Sequence, residues 1–89
     1  MRTIQIIISG KVQGVFYRYS CWEIASELGL KGTVQNLANG TVLVIAHGTE
    51  ESLMKLVKWC KKGPPRARVD DVIVETISFQ DFFSFTIIK

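Results

Sequence analysis

Cysteine and proline are scarce in this chain, and histidine occurs once. Two cysteines, Cys21 and Cys60, in 89 residues are too few for a disulfide framework, and without a Cys-x-x-Cys spacing they form no zinc or redox motif. Reduced thiols in a cytoplasmic protein are the simplest reading. The single histidine, His47, has no second ligand residue at a metal-binding spacing, so it reads as a strand residue rather than a ligand or base. No apolar run approaches the roughly 18 residues that a membrane-spanning helix needs. The stretch from Ile4 to Ile8 is short, broken by Gln5 and followed by polar residues, without the flanks of a signal peptide. Neither sign of charge dominates. Eleven Lys and Arg against eight Asp and Glu leave +3, a weak preference for anions and far from the concentrated positive face of a nucleic-acid binder.

What is present suits one packed domain over residues 1–89. Hydrophobic residues make up 47% and charged ones 21%, too apolar for a disordered chain, and no repeat, linker or low-complexity tract divides it. Thr3 to Ser9 is β-branched, with Ile4, Ile6 and Ile8 on one face. Gly10 to Gly14 interrupts it. Cys21, Ile24, Ala25 and Leu28 then fall at helical offsets, Gly29 is a natural stop, and the start lies either at Ser20, which has capping-box spacing to Glu23, or nearer Tyr17. Two strand-like runs, Thr33 to Leu37 and Thr41 to His47, flank Asn39-Gly40, a pair suited to positive φ at both central turn residues. Thr49 is a good N-cap with Glu50 and Glu51 behind it, and Leu53, Leu56, Val57 and Cys60 mark a second apolar helix face. Lys58, Lys61 and Lys62 suit its far end, and Gly63-Pro64-Pro65 stops it. Val69 to Phe79 reads as a fourth strand, and Phe83, Phe85 and Ile87 alternate along a short last one. The order βαββαβ plus a terminal strand is that of an α+β, ferredoxin-like split βαβ plan, an antiparallel sheet with two helices on one face.

The stretch Gly10-Lys11-Val12-Gln13-Gly14-Val15-Phe16-Tyr17-Arg18 joins a strand to a helix. Successive peptide N–H groups in such a bend, leading into a helix N-terminus, make a concave anion site, and Arg18 adds a planar fork of donors matched to phosphate oxygens. Spacing alone equally allows a tight glycine connection with Arg18 in solvent, and on spacing alone that blander reading is favoured.

The loop closely resembles the signature of the acylphosphatase family. The segment Gly32-Thr33-Val34-Gln35-Asn36-Leu37-Ala38-Asn39-Gly40-Thr41-Val42, with Gly48, is similar to that family's second motif. The resemblance spans the chain, including Gly63-Pro64 and Val69. It implies a hydrolase that cleaves the carboxyl–phosphate bond of a small acyl phosphate to a carboxylate and inorganic phosphate. By motif position it implies that Arg18 and the backbone amides of Gln13, Gly14, Val15, Phe16, Tyr17 and Arg18 bind the phosphoryl group, and that Asn36 orients the attacking water. It further implies that the substrate phosphate helps to accept the proton of that water. Neither a metal nor an organic cofactor is expected, nor a nucleic-acid or membrane partner, and the chain is expected to act as a monomer in the cytoplasm. Tyr17 departs from the family's usual Phe, and Thr33 from its usual aromatic ring, which places packing beside the site in question.

Other constellations fare worse. Cys60 and Arg66 have the spacing of cysteine-dependent phosphatases, but Cys60 follows a helix, at the dipole end that disfavours a thiolate, and Pro64 and Pro65 remove two donors. An RNA-recognition domain shares the element order but needs exposed aromatics on its first and third strands. Here those strands carry none. A small-ligand sensor that merely binds an anion at the Gly10–Gly14 loop is the better non-enzymatic rival, and hydrolysis of acetyl phosphate separates the two. Trp22 and Trp59 read as flanks of the core, and Lys55, Lys58, Lys61 and Lys62 as a solvated face. Lys11, inside the loop, is assigned a minor role in attracting phosphate.

Overall fold

A computed structural model describes all residues, 1–89. Seven elements follow in the order β1 (Arg2–Lys11), α1 (Tyr17–Glu27), β2 (Lys31–Asn36), β3 (Val42–Gly48), α2 (Glu50–Lys62), β4 (Arg68–Ile77) and β5 (Phe85–Ile88). The sheet order is β4-β1-β3-β2-β5. Each neighbouring pair among the first four is antiparallel, whereas β5 runs parallel to β2. The sheet is therefore mixed at one edge, and the antiparallel expectation holds for four of its strands. The cause lies in the register. Ile77 at the end of β4 pairs with Thr3, Thr3 with His47, and His47 with Lys31 at the start of β2. The chain thus leaves β4 at the end of the sheet where β2 begins, and the next strand can only run the same way.

Alternation decides which face is covered. Ile4, Ile6 and Ile8 of β1, Val34 of β2, and Val42, Val44 and Ala46 of β3 are fully buried. They meet Tyr17, Cys21 and Ala25 of α1 and Leu53, Leu56, Val57 and Cys60 of α2 in one core cluster. The α2 face is the expected one. The buried stripe of α1 runs through Tyr17, Cys21 and Ala25, one turn further toward the N-terminus than expected, and Ile24 and Leu28 pack at its border rather than its centre.

The ends of the helices follow local chemistry. The Thr49 hydroxyl accepts from the Ser52 amide at 3.3 Å, with Glu50 and Glu51 in the first turn and Lys61 and Lys62 in the last of α2, each charge placed favourably in the helix dipole. At the end of α1, Leu30 N–H donates to Ala25 and Gly29 N–H to Ser26, the paired bonds of a Schellman ending.

Four local expectations are corrected. Strand β1 continues through Gly10 and Lys11, which pair with Val69 and Arg68 across a register shift after Ser9. Gly10 has φ 125° and packs so tightly that a Cβ there would overlap the Arg68 carbonyl, so it serves the sheet and not a ligand. Between β2 and β3 only Gly40 has positive φ, at 91°, and Asn39 does not. Gly40 N–H donates to Leu37 O and Leu37 N–H to Thr41 O, at 3.1 and 2.9 Å, and the Asn39 carboxamide oxygen accepts from Thr41 N–H and Oγ1. This is a three-residue connection closed by an Asx turn, rather than a two-residue one. Finally, Phe83 precedes β5 and is 98% exposed, whereas Phe85 is buried.

Candidate active site

The C-terminal ends of β1, β2 and β5 converge, and α1 starts beside them. A cleft of about 510 Å³ opens there, lined by Val12, Gly14, Phe16, Tyr17, Arg18, Tyr19, Asn36, Ile87 and Lys89. Arg18 and Asn36, eighteen positions apart in sequence, thus face one space.

The two helices begin differently. Helix α2 has its Thr49 cap and two acidic residues. Helix α1 has neither: Phe16 stands at its N-cap without a side-chain bond, and its first turn holds no acidic residue. No acceptor in the protein bonds the amides of residues 13–19, the first such donor being Ser20, to Phe16 O at 3.1 Å. Gly14 (φ 75°) and Phe16 (φ 64°) both adopt left-handed backbone, and Phe16 alone does so among the non-glycine residues. For a bulky side chain that conformation costs about 1–3 kcal/mol. Left-handed residues alternating with others bend a chain so that successive N–H groups converge on one side, and the dipole of α1 adds positive potential at the same point. The arrangement can hold a compact anion.

Arg18 Nη1 donates to the Ile88 carbonyl at 3.0 Å, so β5 steadies the guanidinium of a residue that lines the cleft. Asn36 ends β2, on the same side as the buried Val34. Its Oδ1 is buried without a hydrogen-bond partner in the protein. Such an atom costs about 1–3 kcal/mol unless something bonds it. The Gln13 side chain, overlooked by sequence reasoning beyond its amide, donates from Nε2 to Leu37 O at 2.8 Å and to Thr41 O at 2.9 Å.

Both departures from the usual motif find an explanation. The Tyr17 hydroxyl donates to the Cys60 carbonyl at 2.7 Å, and the ring packs on Trp59 with centroids 5.2 Å apart. Burial, reinforced by Cys60, pushes the phenol well above its ordinary range, and a hydrogen bond with the Cys60 thiol together with burial pushes Cys21 up as well. Both groups stay neutral. Thr33 lies on the opposite face of β2 from Asn36, by strand alternation, and takes no part in lining the cleft.

The remaining candidates separate cleanly. Lys11 is exposed at the end of β1, outside the cleft. Cys60 is fully buried on the α2 stripe and does not line the cleft. Trp22 and Trp59 flank the core, with Trp22 Nε1 donating to Phe85 O at 3.0 Å. His47 Nδ1 lies 2.8 Å from Thr3 Oγ1 and its ring meets Phe79 edge-on. No group of three or more His, Cys, Asp or Glu side chains is placed to hold a metal ion, and no helix is long and apolar enough to cross a membrane. Ile87 and Lys89 were missed as cleft residues, since only the parallel placement of β5 brings them there.

The acylphosphatase family model matches residues 4–87. The acylphosphatase of Methylococcus capsulatus is 41% identical over 90 residues, covering 100% of this chain and 98% of that protein. The acylphosphatase of Rhodospirillum rubrum is 47% identical over 81 residues, 91% of this chain and 89% of that one. Among solved structures, the acylphosphatase from Bacillus subtilis superposes with a TM-score of 0.96 at 34% identity, covering 100% of both chains.

Proposed function

This chain belongs to the acylphosphatase family of hydrolases, and from that premise we propose that its Arg18–Asn36 cleft is where an acyl phosphate is hydrolysed. The observation that carries this reading is a single one. The cleft sets Arg18 and the unbonded amides at the head of α1 against an Asn36 whose Oδ1 is buried and unpartnered.

The phosphoryl oxygens accept from the amides of residues 13–18 and from the Arg18 fork, which together offset the charge of the group. Asn36, which lines the cleft, holds a water molecule by its carboxamide and aims the water oxygen at phosphorus. The water oxygen forms a bond to phosphorus while the bond from phosphorus to the carboxyl oxygen breaks, and that electron pair leaves as carboxylate. The proton of the water passes to a phosphoryl oxygen, giving inorganic phosphate. No Asp, Glu or His side chain lines the cleft, and this chemistry needs none as general acid. The conjugate acid of the leaving group has a pKa of about 4, close to that of Asp and Glu side chains. Positioning and fixed electrostatics remain, both supplied by the chain itself.

Arg18, Asn36 and the free amides meet in a cleft of a single fold, so the proposed hydrolysis asks nothing of a second copy and suits a monomer, and two unpaired cysteines support a reducing, cytoplasmic setting. The test is steady-state hydrolysis of acetyl and benzoyl phosphate beside an ordinary phosphate monoester. Turnover of the acyl phosphates with little on the monoester is expected. Phosphate binding without turnover of either acyl phosphate would instead make the cleft an anion sensor.

A further inference from the structure

Gln13 is the one residue whose backbone belongs to the loop before α1 and whose side chain belongs to the other half of the cleft. Its carboxamide nitrogen donates both hydrogens, to Leu37 O at 2.8 Å and to Thr41 O at 2.9 Å. Those carbonyls are the two ends of the β2–β3 connection, themselves joined by the Leu37 N–H bond to Thr41 O at 2.9 Å. Asn36 is the residue immediately before Leu37 and the last of β2. No other side-chain hydrogen bond links the loop over residues 12–16 to this connection. The half-buried setting of Gln13 keeps both bonds from being exchanged freely for water.

We propose that Gln13 is a positioning residue: its carboxamide is a strut that sets the phosphoryl-binding loop at a fixed distance from Asn36. The proposal rests on the reading of the cleft given above and adds to it the part that holds its two halves in register. The loop positions phosphorus, and Asn36 positions the attacking oxygen. An in-line attack requires both within a few tenths of an ångström, and misplacement by about 1 Å costs on the order of 100-fold in rate. Each of the two bonds fixes one end of the connection, so a single carboxamide prevents both translation and tilt of the Asn36 end of β2 relative to the loop. A strut of this kind acts on the transition state through Asn36 and leaves the affinity of the loop for phosphate nearly untouched.

The experiment compares wild type, Gln13→Met, Asn36→Ala and the double variant on benzoyl phosphate, with inorganic phosphate as competitive inhibitor. Methionine keeps the length and loses both donors. The expected result is a fall in kcat of about tenfold or more, by the rate cost of misplacement, with the phosphate inhibition constant changed less than about threefold and, in the Asn36→Ala background, almost no further loss. An undiminished loss in that background, or a matching rise in the phosphate constant, would assign Gln13 to the loop alone and overturn the strut. Gln13→Glu, whose carboxylate faces the same two carbonyls without a donor, serves as the second variant with the same expected pattern. In the wild-type protein the Gln13 side-chain NH2 protons should exchange slowly by nuclear magnetic resonance, and exchange at the rate of a solvated amide would also overturn it. Failure of the strut is distinguishable from failure of the cleft assignment. The former leaves Asn36→Ala inactive and Gln13→Met active, and the latter leaves Asn36→Ala active.

Discussion

Replacing Tyr17 with Phe removes one oxygen, and the structure sets the size of the loss. The hydroxyl donates to the Cys60 carbonyl at 2.7 Å. That carbonyl lies in the last turn of α2, where helical carbonyls lack partners four residues on. Tyr17 is 1% exposed, so water cannot take over the bond once the hydroxyl is gone. A buried acceptor left unbonded costs about 1–3 kcal/mol. At about 4–8 °C per kcal/mol for a domain of this size, Tyr17→Phe should lower Tm by about 4–24 °C at neutral pH. Activity should change little, because the backbone amide at position 17 remains.

The pH dependence supplies the refutation. Burial and Cys60 raise the Tyr17 phenol above its ordinary 10.0, so the folded state favours the protonated form. The stability this contributes is complete below pH 10 and is lost as pH rises toward the folded-state value, at about 1.4 kcal/mol per pH unit. Cys21, raised above 9.0, adds a fall that begins lower and is common to both proteins. The advantage of wild type over Tyr17→Phe should therefore shrink above pH 10 and vanish about one to two units higher, when about 1–3 kcal/mol has been consumed at that slope. Urea unfolding followed by circular dichroism at pH 8, 10 and 11 measures it. Parallel stability curves across that range, or equal stability at pH 8, would refute the burial and bonding of the phenol.

Three further outcomes are expected. Phosphate at about 100 Kd should stabilise wild type by about 2.7 kcal/mol; Arg18→Gln should abolish most of the thermal shift and most turnover, while Arg18→Lys keeps charge but loses the planar fork and most catalysis. A full phosphate shift in Arg18→Gln would remove Arg18 as the anchor. Asn36→Ala should lower kcat about 100-fold with KM little changed, and its Tm should not fall, since the deleted Oδ1 is buried without a bond; a rise in KM alone would reassign the residue to substrate binding. Gly10→Ala should destabilise by roughly 2–4 kcal/mol, from backbone strain at φ 125° and overlap with the Arg68 carbonyl, and a Tm within a few degrees of wild type would contradict the tight β1–β4 approach.

The elements were legible where one local force decides. Leu53, Leu56, Val57 and Cys60 announce α2 because their spacing is helical and Thr49 stands before them, and all four are buried in the core. Ile4, Ile6 and Ile8 announce β1 in the same way. What could not be read depends on partners distant in sequence. Gly10 looks like a loop glycine until β4 lies alongside it. Phe83 continues the alternation of Phe85 and Ile87, yet β5 begins only where Gly32 is available for pairing with Phe85. Phe16 has the least helpful side chain for left-handed backbone, and no propensity would place it there. Arg18 and Asn36 were reached by motif resemblance, since their proximity is a product of sheet order. Gln13 was legible as a residue of the loop, but not as a donor to Leu37 and Thr41.

The contrast between the two helix starts shows what the fold gives up for its site. Helix α2 satisfies its own N-terminus with Thr49 and two carboxylates, a form of capping worth about 0.5–2 kcal/mol. Helix α1 forgoes this and holds Phe16 in left-handed backbone, while Asn36 Oδ1 stays buried and unbonded. Each of these is a local loss, and all three occur around one cleft, whereas the sheet beneath and the far helix obey the ordinary rules. A phosphoryl group restores what α1 lacks, since its oxygens accept from free N–H groups in the manner of a capping side chain and its charge suits the dipole. Asn36, lining the same cleft, is the side chain placed to hold the attacking water. The two reactants are thus held on two sides of the cleft, phosphate at the free amides of α1 and water at Asn36. That division requires the two sides to be held in register, and the side chain that spans them is that of Gln13.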